Sequence, residues 1–115
     1  MSSGVVPATV SALERRGVPA RRMVALVGPA VCGRCYEVPE QLRAEVAAAV
    51  PAAYARTRGG SPALDLPAAV GAQLRAAGVD DVTMTGACTM EDPAFFSYRR
   101  AAVTGRIASC VWVPA

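Results

Sequence analysis

Residues Gly28-Pro29-Ala30-Val31-Cys32-Gly33-Arg34-Cys35-Tyr36-Glu37-Val38-Pro39 restrict what this chain can fold into more than any other stretch. They join the continuous apolar run Met23 to Val27 to an amphipathic segment opening at Pro39. A short apolar run stopped by glycine has the pattern of a strand covered on both faces. Gly28, Pro29 and Gly33 then end the ladder and let the backbone turn tightly. A strand, a tight loop and a helix in that order place the loop at the end of a strand, where sites gather. This loop carries Cys32, Cys35, Arg34 and Glu37.

The other segments follow from periodicity and punctuation. Val6, Val10 and Leu13 form a helical stripe that stops at Gly17, with Pro19 beyond it. From Pro39, a second helix puts Leu42, Val46, Ala49 and Val50 on one side, takes Glu40 in its first turn, and ends at Pro51. Residues 56–62 read as a loop. Asp65 caps a third helix with Pro67 in its first turn, a stripe of Val70, Leu74 and Ala77, and a stop at Gly78. Val82 to Thr85 alternates as a one-face strand, and Ile107 to Val113 is an apolar strand carrying Cys110 and Trp112. Helix, strand, helix, helix, strand, strand predicts α+β, or layered α/β, with a small mixed sheet. A weak repeat runs through it. Leu13-x-x-x-Gly17-Val18, strand, Gly28 and a loop with Cys32 match Leu74-x-x-x-Gly78-Val79, strand, Gly86 and a loop with Cys88.

Composition limits what chemistry is open. A chain of 115 residues makes one small domain. With 53% hydrophobic but only 5% aromatic residues, its core must be thin and built from Ala, Val and Leu, so a partner surface would help it. The net charge is +3 and the arginines are scattered, which excludes a clustered nucleic-acid face. No apolar run approaches the ~18 residues of a membrane span. Met1 to Gly4 shows no secretory pattern, so a cytoplasmic protein with four reduced thiols is expected. There is no histidine, so acid–base or metal chemistry here falls to Cys, Asp, Glu, Tyr or Arg.

Cys32-x-x-Cys35 has the spacing of half a zinc site or of a redox pair. Zinc needs a second pair of ligands, and Cys88 and Cys110 sit on different elements. The alternative is thiols lining a loop, with Cys88 and Cys110 as small buried hydrophobes. The glycines match neither phosphate-loop nor dinucleotide fingerprints, which leaves a generic anion pocket of backbone N–H groups. Arg99, Arg100 and Arg106 could grip phosphate or form a solvated turn. Phe95, Phe96 and Tyr98 could stack on a base or fill the core.

Gly28-Pro29-x-Val31-x-Gly33-x-Cys35-Tyr36-Glu37-Val38, then Leu64-Asp65-Leu66, Ala77-Gly78-Val79 and Cys88-Thr89 come in a definite order. Phe95-Phe96-Ser97-Tyr98-Arg99-Arg100, Thr104-Gly105-Arg106-x-Ala108 and Val111-Trp112 complete the set. Together they resemble the YfiH-like family, also called laccase-domain or multicopper polyphenol oxidase proteins. Ala87, Ala101 and Pro39 depart from its usual Arg, Asp and Gly. The resemblance implies a zinc-dependent purine nucleoside phosphorylase acting on adenosine, inosine, guanosine and methylthioadenosine, with adenosine deaminase activity besides. It implies a layered α/β/β/α fold shared with a bacterial deamidating toxin domain.

The resemblance covers the C-terminal portion of the family pattern. Its zinc ligands, two histidines and a cysteine, belong to segments resembling "TDC" and "HAGWRG" that this sequence lacks. Residues 1–115 are therefore expected to form a single partial domain, an incomplete half with no metal ligand of its own and little activity alone. Its partners would be purine nucleoside and phosphate, and a missing N-terminal half or a second copy of the chain; nucleic acid and membrane are not among them. Chemistry suggests Cys35 and Glu37 as catalytic groups, with Arg34, Tyr98, Arg99 and Arg106 binding substrate and phosphate. Two alternatives stand beside this: a non-enzymatic module that completes a sheet with a partner chain, and a thiol hydrolase using Cys35 with a carboxylate base.

Overall fold

The structure is a computed structural model, and it describes residues 4–112 and 114. Its elements run α1 (Val5–Glu14), β1 (Val24–Val27), α2 (Glu40–Ala49), β2 (Tyr54–Arg56), β3 (Pro62–Leu64), α3 (Leu66–Ala76) and β4 (Asp81–Met84). Single 3₁₀ turns at Ala20–Arg22 and Pro51–Ala53 precede β1 and β2. This is the mixed α+β architecture expected, with its pairing divided between two small ladders. β1 and β4 run parallel, Val24 opposite Asp81 through Val27 opposite Met84. β2 and β3 form an antiparallel hairpin, Tyr54 opposite Leu64.

The helix ends follow the sequence punctuation. Gly17 and Gly78 adopt φ of 89° and 90°, a left-handed turn that favours glycine. Val18 N–H then closes on Leu13 O at 3.2 Å, and Val79 N–H on Leu74 O at 3.0 Å, the same stop used twice. At the start of α3, Asp65 Oδ1 accepts from Ala68 N–H at 2.9 Å, with Pro67 in the first turn. The two halves of the weak repeat thus share one construction, and they lie side by side, with α1 against α3 and β1 against β4.

Two apolar clusters hold these parts. Val38, Val46, Val50, Ala53, Leu64 and Ala69 pack between α2, the hairpin and α3, with Tyr36 and Leu66 against them. Val10, Ala20 and Val79 form the second, under Ala25, Leu74 and Val82.

Four expectations need correction. β1 is covered on one face only, because Val24 and Leu26 are 75% and 71% exposed while Ala25 and Val27 are half-buried. The segment 56–62 is a loop only at its tip; Arg56 and Pro62 belong to the paired strands of a hairpin too short to show periodicity. Residues 101–112 contain no strand, since no ladder offers them partners, and Val113 lies outside the described residues. The face of α2 is also turned from the expected stripe. Arg43 is buried and Leu42 is not. The Arg43 guanidinium donates to Ala55 O at 3.2 Å, pairs with Glu40 at 2.6 Å and lies 4.3 Å over the Tyr54 ring. Its two terminal nitrogens are partnered while the buried Nε is not, and the long stem is buried like an aliphatic residue.

Candidate functional site

Parallel strands deliver their following loops to the same edge of a sheet. Here the β1–β4 ladder continues past both strand ends through a bridge between Ala30 and Cys88. Ala30 N–H donates to Ala87 O at 3.3 Å and Thr89 N–H to Ala30 O at 3.1 Å, which locks the two loops together. Each then makes a tight turn. Cys35 N–H and Tyr36 N–H donate to Cys32 O at 2.9 and 3.0 Å, and Asp92 N–H donates to Cys88 O at 3.0 Å. Gly33 lies inside the first turn because nothing larger fits: a Cβ there would stand 2.8 Å from Asp65 Cβ.

The turns bring Cys32, Cys35, Cys88 and Glu91 together, with their Sγ and carboxylate atoms all within 4.8 Å of one another. Cys32 N–H donates to Cys88 Sγ at 3.3 Å, and the Cys35 thiol donates to Glu91 Oε1 at 3.2 Å. Glu91 also pairs with Arg58 at 2.5 Å. Electrostatics differ sharply within this group. Burial, then the hydrogen bond to Glu91 and the neighbouring Cys32, push the Cys35 thiol up to about 12. It is therefore a neutral thiol near pH 7, unlike an activated nucleophile. Burial also acts to raise Cys88, but the backbone N–H groups of Cys32, Glu91 and Met90 outweigh it and hold that thiol below its ordinary value. Hydrogen bonds from Cys35 and Arg58 hold Glu91 below the usual carboxylate range, with the charge of Arg34 adding to the effect.

A second locale lies nearby. A cleft of about 320 Å³ is lined by Tyr98, Arg99 and Arg106 together with Pro29, Thr89 and Thr104. Arg99 donates to Glu37 O at 2.8 Å, and its guanidinium lies 4.5 Å over the Tyr36 ring. Arg100, grouped with these arginines by sequence, does something else. It donates to the carbonyls of Thr89, Met90, Asp92 and Phe95 and so pins the loop that presents Glu91.

The six expected site residues therefore divide. Tyr98, Arg99 and Arg106 share the cleft, and Glu37 adjoins Arg99 through its main chain. Cys35 is in the sulfur cluster, and Arg34 is exposed close enough to act on Glu91. Spacing alone offers Cys32-x-x-Cys35 as half of a zinc site, with no second pair of ligands to complete it. The structure assembles a set of four that could hold an ion, adding Cys88, expected as a small buried hydrophobe, and Glu91, which no motif singles out. The repeat carried the missing signal. Cys32 and Cys88 are 56 residues apart, and so are Cys35 and Glu91, so Cys-x-x-Cys and Cys-x-x-Glu occupy matching turns.

Comparison with known proteins gives a consistent result. The model of a family described as multi-copper polyphenol oxidoreductase laccase matches residues 1–114. A purine nucleoside phosphorylase of Streptomyces coelicolor is 57% identical over 96% of this chain and 46% of its own length. One from Mycobacterium tuberculosis is 44% identical over 96% of this chain and 44% of its own. Among solved structures, YlmD from Geobacillus stearothermophilus superimposes with a TM-score of 0.76 at 29% identity, covering 86% of this chain and 40% of YlmD. A Neisseria meningitidis protein gives 0.72 at 30% identity, covering 86% and 41%. The chain thus spans under half the length of the relatives it matches, and its fold is an incomplete version of theirs.

Proposed function

The chain belongs to the multi-copper polyphenol oxidoreductase laccase family, and from that premise we propose that it is the carboxy-terminal portion of a purine nucleoside phosphorylase. The observation that carries this reading is the 57% identity to a protein of that name across nearly the whole chain. The cleft supports it. Phosphorolysis brings phosphate to the ribose C1′ while the bond from C1′ to the purine nitrogen breaks, giving ribose 1-phosphate and the free base. Arg99 and Arg106 supply fixed positive charge for the phosphate, which planar guanidinium groups grip through paired N–H donors. Tyr98, exposed at the rim, offers a ring for the purine to stack against. Glu37, whose main-chain carbonyl accepts from Arg99, offers a carboxylate to accept a hydrogen bond from an N–H of the purine, while the departing base nitrogen takes up the proton that hydrogen phosphate releases as it bonds C1′. The substrates on this reading are adenosine, inosine, guanosine or methylthioadenosine.

The zinc implied by the resemblance uses two histidines and a cysteine. This chain has no histidine, so that ligand set is not available within it, and none of the roles above depends on that ion. Residues 1–115 are accordingly proposed as a partial domain whose site is completed by further polypeptide. The exposed face of β1 favours a second reading, a non-enzymatic module that seats against a partner chain. Inosine phosphorolysis separates them. Turnover that appears only when the chain is joined to the N-terminal portion of a relative supports the split enzyme, whereas stable association with that portion and no turnover supports the module. In the active assembly, Arg99→Ala should raise KM for phosphate about tenfold, the loss of one charge-assisted contact of about 1.5 kcal/mol. An unchanged KM removes Arg99 from the phosphate site.

A further inference from the structure

We infer that Cys32, Cys35, Cys88 and Glu91 form a structural zinc site that clamps the two loops beyond β1 and β4. It is separate from the cleft and from any metal held by histidines. Four observations support it.

The first is the donor set. Three thiols and a carboxylate converge from two turns, each contributing ligands at positions i and i+3. That is the short spacing with which metal-binding turns present side chains to one centre. The second is distance. A tetrahedral zinc ion sets its thiolate and carboxylate atoms roughly 3.5–3.8 Å apart. Here Cys35 Sγ and Glu91 Oε1 are already 3.2 Å apart and every pair lies within 4.8 Å, so side-chain rotation of about 1 Å closes the shell. The third is the surrounding support. Cys32 N–H points at Cys88 Sγ, and Arg58 holds the Glu91 carboxylate, the kind of outer contacts that orient ligands. Arg100 fixes the loop between Cys88 and Phe95 through four carbonyls, so Glu91 is presented by a braced segment. The fourth is backbone fit, since Gly33 lets the first turn pack against Asp65 where a side chain would collide.

The donor chemistry selects the ion. Thiolates favour zinc and copper(I) over magnesium or calcium, and a carboxylate in the same shell favours zinc over copper(I). Four protein ligands leave no open position, which is the pattern of a structural site. Binding releases the thiol protons to solvent as the thiolates coordinate, so affinity must fall as pH falls.

The test is to express the 115-residue chain with added zinc, purify it under reducing conditions with a chelator wash, and count metal by mass spectrometry. One zinc per chain is expected. Cobalt(II) should give the strong visible bands of a tetrahedral site and the near-ultraviolet absorption of thiolate ligands. Cys88→Ser and Glu91→Gln should each weaken zinc at least about tenfold, while Cys110→Ser, at an exposed free cysteine, should leave it unchanged. Glu91 is on the surface, so its variant keeps the comparison valid even if Cys88→Ser fails to fold. Substoichiometric zinc with weak, featureless cobalt spectra overturns the inference. So does copper bound without dependence on Glu91, or a disulfide among these cysteines in place of metal. None of these readouts uses nucleoside turnover, so this inference and the phosphorylase reading stand or fall separately.

Discussion

Two regions of this molecule carry similar apolar sequence and meet different fates. Around α2, the β2–β3 hairpin and α3, the residues Val38, Val46, Val50, Ala53, Leu64 and Ala69 are buried by one another. In β1 and in the segment 101–112, Val24, Leu26, Val103, Val111 and Trp112 are left exposed. Nothing in hydropathy separates the two sets. The difference is supply: α2, the hairpin and α3 fold back on one another from consecutive sequence, whereas the outer face of β1 would need a layer from elsewhere. An apolar pattern shows that a surface is made to be covered, without showing what covers it.

The contrast is broken most easily at its strongest point. Leu64 is 3% exposed in the interior of the first cluster. Leu64→Ala should cost about 2–4 kcal/mol in urea unfolding, the usual range for a leucine removed from a packed core. A loss below about 1 kcal/mol would mean this region is not the self-sufficient half.

Next in size is Arg43, where the same region buries a charge. Truncation to alanine removes its stem from the core, its contact with Tyr54 and its bond to Ala55 O. The expected cost is about 1–3 kcal/mol. Glu40, its partner, is mostly exposed, and Glu40→Ala should cost under about 1 kcal/mol. Equal losses for the two would show that the ion pair, and not the buried stem, stabilises this corner.

How much of this was legible follows from which forces are local. Helix ends at Gly17 and Gly78 and the cap at Asp65 depend on neighbours within a few residues, and the sequence displays them. The hairpin does not show in the sequence because strands of three residues carry too few alternations, and the apolar run from Ile107 reads as a strand that finds no ladder because pairing is a property of two segments. The site split in the same way. Tyr98, Arg99 and Arg106 are near in sequence and share a cleft. The Cys32–Cys35 and Cys88–Glu91 turns meet only because β1 and β4 run parallel, which spacing within either turn cannot express. Only the faint repeat linked them.

The smallest expected effect is the most informative about what is uncovered. Val24 and Leu26 project from the same face of β1, and each is more than two-thirds exposed. Replacing either with aspartate should change the stability of the 115-residue chain by less than about 0.5 kcal/mol, the usual span for surface positions. Ala25 is the control, since it packs against the second cluster, and Ala25→Asp should cost several times more by placing a charge at a partly buried position. If Val24→Asp destabilises as much as Ala25→Asp, both faces of β1 are buried in solution and the chain covers itself, most simply by self-association. If it is neutral, the same variant gains a second use. Mixed with the N-terminal portion of a relative, Val24→Asp should abolish association that the unaltered chain shows, because a charge on that face cannot be desolvated without a partner. Neutral alone and disruptive in the pair is the signature of a surface whose covering layer belongs to another stretch of polypeptide.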